Sequence, residues 1–278
     1  MMLACFAMAL WLAALLGLVQ GLTEFIPVSS SAHLRILPAL LGEKDPGAGF
    51  TAVIQLGSLV AVVAYFWRDL YVVAIALFRA PGTPEGRLPW LLALASIPIA
   101  VAGLFLKKHI EGDLRSLYIT ASMLILFGIV LWGVDQYSSG RDSTRPLSAI
   151  TMTDAILVGL AQSLALVPGV SRSGATICAA LLLGFGRVEA ARFSFLLSIP
   201  AIAGSGVFEA REAFKTLPRE MLSPYVVGTL VAAVSSFGAI AWLMRFLTTH
   251  HFIGFAIYRI VCGIALLGAL AAGLLAPL

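Results

Sequence analysis

Long apolar stretches dominate the chain and predict most of its elements. About 20 apolar residues are needed for a helix to cross the hydrocarbon core of a membrane. Six stretches approach or exceed this length, at residues 50–67, 90–106, 117–134, 193–208, 225–247 and 254–274. The pattern therefore predicts an all-α integral membrane protein with six transmembrane helices. A further apolar stretch, residues 70–78, is too short to span and is predicted to lie at the membrane interface.

Two more apolar regions, residues 3–41 and 154–186, are each interrupted in the middle by proline and serine-rich sequence. Pro27 precedes three serines, and Pro168 precedes Gly-Val-Ser-Arg-Ser. Proline ends a helix, and the serines that follow can cap the start of another, which is expected near Ser31 in the first region. We predict two re-entrant hairpins, each built from a broken helix that enters and leaves on one side of the membrane.

The two interrupted regions resemble each other. A shift of 142 positions aligns residues 17–31 with 159–173, with seven identities in fifteen positions. Polar residues that recur at fixed offsets in apolar sequence are hard to obtain from composition alone. Three predicted spans, an odd number, separate the copies, so the second hairpin would enter from the opposite face of the membrane.

This arrangement predicts an inverted repeat whose broken tips meet near the midplane of the membrane. Residues 1–278 would form one membrane domain, with repeat halves at approximately 1–140 and 151–278. The most polar stretch, residues 135–146, is predicted to link the halves.

Composition agrees with a membrane protein and limits its partners. The chain is 60% hydrophobic and only 12% charged, far from the average of soluble globular domains. Its net charge of +4 does not indicate a nucleic-acid partner, because basic loops beside membrane helices give the same balance. Cys5, Cys178 and Cys262 lie in apolar segments without paired spacing, which predicts neither a disulfide framework nor a cysteine zinc site.

Glu24 is the first candidate functional residue, since it is the only carboxylate between residues 1 and 42. A charged side chain inside a membrane helix costs about 2.5–3.5 kcal/mol on insertion scales, so its presence indicates a task. Gln20 lies four residues earlier, on the same face of a helix, where both side chains could bind one metal ion or one polar ligand.

The next residues form a candidate anion site. Free backbone N–H groups at the start of a helix favour an anion such as phosphate. The side chains around this helix start are Ser29, Ser30, Ser31 and His33. Each serine alone could simply cap the helix, and His33 alone could lie at the membrane interface. The set together favours a functional site.

The second tip carries the opposite charge. Leu166 occupies the position equivalent to Glu24, and Arg172 replaces the middle serine as the only charge between positions 154 and 187. A guanidinium can hold a phosphate with two parallel hydrogen bonds. Further hydroxyl donors follow in this tip: Ser171, Ser173 and Thr176. Complementary halves predict one composite site, although Arg172 could also serve only to neutralise Glu24.

These motifs resemble a known family. Gln20-x-x-x-Glu24 with Pro27-Val-Ser-Ser-Ser-Ala-His33, and Pro168-Gly-Val-Ser-Arg-Ser-Gly-Ala-Thr176, look like the two signature regions of the undecaprenyl-diphosphate phosphatases of the bacitracin-resistance type. The similarity runs nearly end to end. It implies a bacterial cytoplasmic (inner) membrane enzyme that removes the terminal phosphate from a C55 polyprenyl diphosphate and so recycles the lipid carrier for cell-wall synthesis.

The resemblance also implies a divalent cation, commonly Mg or Ca, held by an acidic pair that maps onto Gln20 and Glu24. The first of these positions accepts Glu or Gln in the family, so one anionic metal ligand is missing here. Ser31 and Ala32 stand where Thr and Gly are common, and Ala175 stands where Ser is common.

The sequence does not decide which group is the nucleophile. A cation on Glu24 and Gln20, together with Arg172, would neutralise the diphosphate. The attacking group could be Ser30 activated by His33, His33 itself, or a metal-bound water activated by Glu24.

A second hypothesis is a polyprenyl-phosphate flippase or another secondary transporter, because inverted repeats with broken helices also build transporters. A transporter has no need of a nucleophile beside a metal-ligand pair, so the enzyme is favoured. A structural membrane subunit would leave Glu24 and Arg172 unexplained. Gln55 is assigned to substrate binding, although a hydrogen bond between packed helices explains it equally well. We expect the site to open to the periplasmic side, and the oligomeric state, with a homodimer as one option, is left open.

Overall fold

A computed structural model describes residues 8–111, 114, 116–140, 145–216 and 218–276, of which 107–111, 214 and 216 are described by backbone alone. Cys5 and residues 141–144 of the predicted linker lie outside this range. Every regular element of the described chain is helical. The α-helices are α1 (Leu10–Phe25), α2 (Ser30–Leu41), α3 (Gly47–Tyr65), α4 (Trp67–Arg79), α5 (Pro84–Glu111), α6 (Leu117–Ser139), α7 (Met152–Ser163), α8 (Arg172–Leu182), α9 (Arg187–Thr216), α10 (Leu222–Phe246) and α11 (Ile253–Ala271).

The six predicted spans are confirmed. Helices α3, α5, α6, α9, α10 and α11 are long and apolar enough to cross a membrane. Helix α4, which covers the stretch predicted to be too short, has 13 residues and buries none of them. The chain is therefore an all-α, multi-pass membrane protein.

Both apolar hairpin regions are broken near the predicted positions. Helix α1 ends at Phe25, two residues before Pro27, and α2 begins at Ser30, near Ser31 as expected. In the second half, α7 ends at Ser163, and a short 3-10 helix at Leu164–Leu166 followed by an irregular segment leads to the start of α8 at Arg172.

The two halves pack in the same way. Helix α1 of the first half packs on α10 of the second half, and α7 of the second half packs on α5 of the first. Gly17 and Gly159, which align in the repeat, allow the close approach: an added Cβ would lie 2.3 Å from the Gly228 carbonyl oxygen in one half and 2.5 Å from the Ala95 carbonyl oxygen in the other.

Helices α6 and α11, which end the two halves, run antiparallel. A Cβ on Gly128 would meet the carbonyl of Ala256, and a Cβ on Gly263 would meet that of Ala121, so residue numbers rise along one helix as they fall along the other. This is the geometry that an inverted repeat requires. The inverted and re-entrant course in the membrane stays a prediction.

The prediction that a linker begins at residue 135 is wrong. Helix α6 continues to Ser139, and the Asp135 side chain is fully buried. Asp135 accepts a hydrogen bond from Arg187 Nε at 2.6 Å and another from the backbone N–H of Phe252 at 2.9 Å. A buried carboxylate is stable when it is paired and hydrogen-bonded, and these partners come from segments that the local sequence does not reveal.

Helix α8 lies at the centre of the structure. It packs against α6, α7 and α9, and eight of its 11 residues are buried. Phe25, at the end of α1, packs edge-to-face on Phe195 of α9 with ring centroids 5.1 Å apart. This contact fixes the end of α1 against α9, which itself packs on α8.

Candidate active site

Glu24 is the centre of the candidate site. It is buried near the end of α1, and four side chains donate hydrogen bonds to its carboxylate. Oε2 accepts from Gln20 Nε2 at 2.9 Å and from Ser30 Oγ at 2.6 Å. Oε1 accepts from Gln55 Nε2 at 3.0 Å and from the Arg172 guanidinium. The site therefore unites α1, α2, α3 and α8, and it contains residues of both repeat halves.

The Glu24–Arg172 contact is an ion pair between residues 148 positions apart in the chain. The Glu24 side chain is 3% exposed and that of Arg172 is 15% exposed, so the arginine is the partner that an incoming ligand can reach. Charges interact strongly where water is scarce, and each partner offsets the desolvation of the other. A phosphate that replaced Glu24 on Arg172 would meet a cation already held in position.

Ser30 and His33 have different partners. Ser30 Oγ donates to Glu24, as described above. His33 Nδ1 lies 2.8 Å from the carbonyl oxygen of Ser29, and Nε2 lies 2.7 Å from the Tyr258 hydroxyl, on whose ring the imidazole stacks. Among the described residues, the group placed to accept the Ser30 proton is therefore Glu24. The hydrogen bonds of the described chain include none between the Ser30 and His33 side chains, one of the pairings that the sequence left open.

Ser29 and Ser171 hold equivalent and strained positions at the two breaks. Their φ angles are +76° and +73°, and no other non-glycine residue of the described chain has a positive φ. Such conformations cost about 1–3 kcal/mol each and cluster at functional sites. Each hydroxyl lies 3.1 Å from that of the serine two residues later. The repeat is thus preserved in backbone conformation as well as in sequence.

The two serines differ in their capping. Ser171 Oγ accepts a hydrogen bond from the backbone N–H of Gly174 at 3.1 Å and so caps α8. Ser29 makes no side-chain cap on α2. Instead, its hydroxyl bonds to Ser31, so the N–H groups at the start of α2 are not capped by Ser29.

The other predicted donors of the second tip face protein groups. Ser173 Oγ donates to the carbonyl oxygen of Glu24 at 3.2 Å and so joins the two tips. Thr176 Oγ1 donates to the carbonyl of Arg172 at 2.9 Å and lies 2.6 Å from the Ser194 hydroxyl. Thr176 is 1% exposed. Its assignment to substrate binding stays a prediction, whereas its observed contacts stabilise the first turn of α8.

Arg259 is a site residue that the sequence analysis missed. Its side chain, 1% exposed, donates from NH1 to the carbonyl of Pro27 at 2.9 Å. NH2 donates to the carbonyls of Gly169 and Val170, both at 2.8 Å. One guanidinium therefore binds backbone carbonyls at both helix breaks. A signal was present, because Arg259 is the only charged residue between positions 253 and 278, within a predicted span.

Ser58 and Ser236 extend the polar site inward. Ser236 Oγ donates to Ser58 Oγ at 2.8 Å, and Gln20 Nε2 lies 3.4 Å from Ser58 Oγ. These serines of α10 and α3 are fully buried. The chain of hydrogen bonds orients the Gln20 amide toward Glu24.

The donor set suits a cation that the substrate helps to bind. The described residues contain no group of three or more His, Cys, Asp or Glu side chains able to hold a metal by themselves. Mg²⁺, however, is commonly bound by one or two carboxylates together with substrate phosphates. The Glu24 carboxylate fits this kind of site directly. Gln20 donates from Nε2 to Glu24 at 2.9 Å, so it would become a ligand only by turning its amide to present the oxygen.

The described chain combines six candidate membrane spans with an ion pair between the buried Glu24 and the partly exposed Arg172. This combination defines a multi-pass membrane protein with a polar site inside. The family described as bacitracin resistance protein BacA matches residues 13–265. The chain belongs to this family.

Curated relatives resemble the chain along nearly its whole length. The undecaprenyl-diphosphatase of Myxococcus xanthus is 47% identical over 277 residues, which cover 98% of this chain and 92% of the relative. That of Gloeobacter violaceus is 49% identical over 271 residues, covering 95% of this chain and 92% of the relative. That of Chlorobium phaeovibrioides is 44% identical over 283 residues, covering 97% and 100%.

Proposed function

We propose that this protein is an undecaprenyl-diphosphate phosphatase, which hydrolyses the terminal phosphate of a C55 polyprenyl diphosphate and so recycles the lipid carrier for cell-wall synthesis. The single observation that carries the proposal is the contact of Glu24 with both Ser30 and Arg172. It joins a base, a hydroxyl and a phosphate-binding cation in one buried site. Family membership and the names of the relatives support the same activity.

Arg172 binds the terminal phosphate in the proposed mechanism. The guanidinium leaves Glu24 Oε1 and takes two phosphate oxygens, because it is the exposed partner of the pair. This exchange also frees Glu24 to act as a base. Residues with charges placed in advance stabilise a transition state without reorganisation, and such groups typically contribute a hundredfold to a thousandfold in rate, about 3–4 kcal/mol each.

Ser30 attacks the terminal phosphorus in the first step. Glu24 accepts the Ser30 proton across the 2.6 Å hydrogen bond as the Oγ–P bond forms. The bond from phosphorus to the bridging oxygen breaks, and polyprenyl monophosphate leaves with that oxygen. Glu24 then gives that proton to the departing monophosphate and is again a carboxylate. Water attacks the phosphoserine as Glu24 takes one of its protons, the Oγ–P bond breaks, and the proton passes from Glu24 to Ser30 Oγ as inorganic phosphate is released.

A divalent cation, Mg²⁺ or Ca²⁺, is proposed as the cofactor, with Glu24 and Gln20 as its protein ligands. When bound, it would neutralise the diphosphate charge that otherwise repels a nucleophile. Gln20 Nε2 contacts both Glu24 and Ser58, so the amide would turn to present its oxygen to the cation. The hydroxyls of Ser29, Ser31, Ser171 and Ser173 are proposed to contact the phosphates.

The proposal includes the place of the protein in the cell. It would lie in the bacterial cytoplasmic (inner) membrane, with the two halves inverted and the site open to the periplasmic side. The antiparallel contact of α6 and α11 supports the inverted arrangement.

The function is tested by measuring phosphate release from a C55 polyprenyl diphosphate by the purified full chain in detergent. We expect release that stops in excess chelator and returns with added Mg²⁺. A preparation of Glu24→Gln made in the same way controls for contaminating phosphatases. Binding of the lipid without phosphate release by the wild-type protein would contradict the enzyme and favour the transporter.

A further inference from the structure

A groove lies between α2 and α11, directly beside the first break. Its volume is about 300 Å³, at the lower end of the range of small-molecule sites. His33 and Tyr258 stand at one end, and Leu40 and Leu275 lie among the residues farther along. Apart from His33 and Tyr258, the lining is aliphatic with one cysteine.

The sequence explains why the groove is open. On α2, its lining residues recur at positions 33, 36, 37 and 40, which form one face of a helix. On α11, the facing side chains include Cys262, Ala265 and Ala269, and these small residues leave space between the two helices. A larger side chain at Ala265 or Ala269 would fill it.

The groove adjoins the candidate active site at His33, which lines the groove and contacts the first break. One imidazole nitrogen bonds to the Ser29 carbonyl at the break, and the other bonds to Tyr258 in the groove. Ser30, the next residue after the break, contacts Glu24. A charged site and an apolar groove therefore meet at a single side chain, with the polar groups at one end of the groove only.

This polarity fits an amphiphile with an anionic head and a long apolar chain. From His33 to Leu40 the groove follows α2 for seven residues, or about 10 Å at 1.5 Å per residue. From Tyr258 to Ala269 it follows α11 for eleven residues, or about 16 Å. Such a length accommodates the first few isoprene units of a polyprenyl chain whose diphosphate lies at Ser30.

We propose that the α2–α11 groove binds the head-proximal isoprene units of the polyprenyl substrate; the inference rests on the function proposed above. Lipid tails are as apolar as the groove, so transfer from water does not drive this binding. The groove instead orients the chain and thereby positions the diphosphate against Ser30. Bulk membrane lipid is the competing occupant.

The first experiment fills the groove. We expect Ala265→Phe and Ala269→Phe each to lower kcat/KM for the C55 substrate about tenfold or more, because misplaced reactants lose much of the benefit of orientation. Hydrolysis of dimethylallyl diphosphate, a C5 probe too short to reach Ala265, should stay within about twofold of wild type. Ala93→Phe, at an exposed position on α5, is the matched control and should leave both substrates unaffected.

The outcomes separate the groove from the activity. Equal losses on both substrates, or no loss on either, would overturn the groove assignment while the wild-type enzyme still hydrolyses C55 diphosphate. Failure of the wild-type protein to hydrolyse either substrate would instead contradict the proposed function.

A second experiment needs no variant. The wild-type protein is irradiated with a C15 prenyl diphosphate that carries a photoreactive diazirine on its third isoprene unit, and the labelled peptides are mapped by mass spectrometry. Labelling of α2 and α11 that competes with unlabelled C55 diphosphate would support the groove. Labelling confined to other helices, or labelling of α2 and α11 that C55 diphosphate does not reduce, would overturn it in favour of bulk lipid.

Discussion

At the scale of single residues, Glu24 is a carboxylate that costs free energy to bury and is stabilised by the side chains around it. Its carboxylate is buried, and Gln20, Ser30, Gln55 and Arg172 all donate to it. Replacing this carboxylate by an amide would put an NH₂ group against at least one of these donors. Its position therefore depends on the negative charge as well as on shape.

We predict that Glu24→Gln lowers turnover by roughly a hundredfold or more, which is the effect of removing a charge-stabilising group or a general base. The variant should remain folded, because glutamine keeps the volume of the side chain. Phosphate release by the purified protein measures the effect, with a size-exclusion profile as the folding control. A fully active Glu24→Gln would exclude Glu24 as base and as metal ligand, and full wild-type activity in excess chelator would exclude the cation.

The contacts of Ser30 lead to a prediction about the nucleophile. If Ser30 attacks with Glu24 as base, Ser30→Ala should have nearly no activity, and acid quenching of the wild-type enzyme should trap a phosphoserine. His33→Asn should lose less activity, because His33 bonds to Ser29 and Tyr258 rather than to Ser30.

Other products would identify the other nucleophiles. An acid-labile phosphohistidine would show that His33 attacks. Isotopically labelled oxygen from water in the released phosphate after one turnover, with no covalent species, would show direct attack by water.

Helix breaks are the important features at the scale of elements. Each break places a serine with positive φ immediately before a short helix, and each leaves backbone carbonyls in a buried region. Unpaired carbonyls there would be costly, and Arg259 binds three of them. Helix α11 therefore stabilises both tips although it belongs to neither.

We predict that Arg259→Met destabilises the protein by about 3 kcal/mol or more, since each buried group left unpaired costs about 1–3 kcal/mol. Activity of the folded fraction should fall as well, because the breaks position Ser30 and Arg172. Thermal unfolding in detergent measures the first effect. Arg245→Met, at an exposed position on α10, is the control and should change the unfolding temperature little. An equal, small shift of the unfolding temperature in both variants would contradict the role of Arg259 in stabilising the two breaks.

The whole molecule is built so that two halves complete one site. Helix α1 brings the Glu24 carboxylate and α8 brings the Arg172 guanidinium, and the similar packing of the two halves sets these helices against each other. Neither half contains both charges at its tip. Glu24 aligns with Leu166 and Ser30 aligns with Arg172, so the two tips of the repeat carry opposite charges that meet in one ion pair.

We predict strong non-additivity between Glu24→Ala and Arg172→Ala. Each should cost about 3 kcal/mol or more in kcat/KM, whereas the double variant should cost much less than the sum, because residues that act on one transition state lose their effect together. Glu24→Ala combined with Arg192→Ala is the control. Arg192 pairs with Asp69 at 2.7 Å, so these effects should add.

Only monodisperse protein gives a valid comparison, since an unpaired buried charge can also unfold the protein. Additive losses for Glu24 and Arg172, measured above background, would mean that the two tips act separately.

Much of this arrangement follows from sequence because its causes are local. The energetic cost of polar groups in a membrane makes each apolar span and each interruption visible along the chain. The same cost singles out Glu24 and Arg172 as residues with a task. The start of α2 was also predicted, since the helix begins at Ser30, next to the expected Ser31 and directly after the strained Ser29.

The remaining features depend on contacts between distant segments, and only the tertiary structure decided them. Asp135 is buried because Arg187 and the chain at Phe252 meet it, although its local sequence is typical of a linker. His33 bonds to Tyr258, 225 positions away, whereas Ser30 donates its hydrogen bond to Glu24. The sequence shows which groups cost free energy to bury, but the packing of distant segments decides which partners offset that cost.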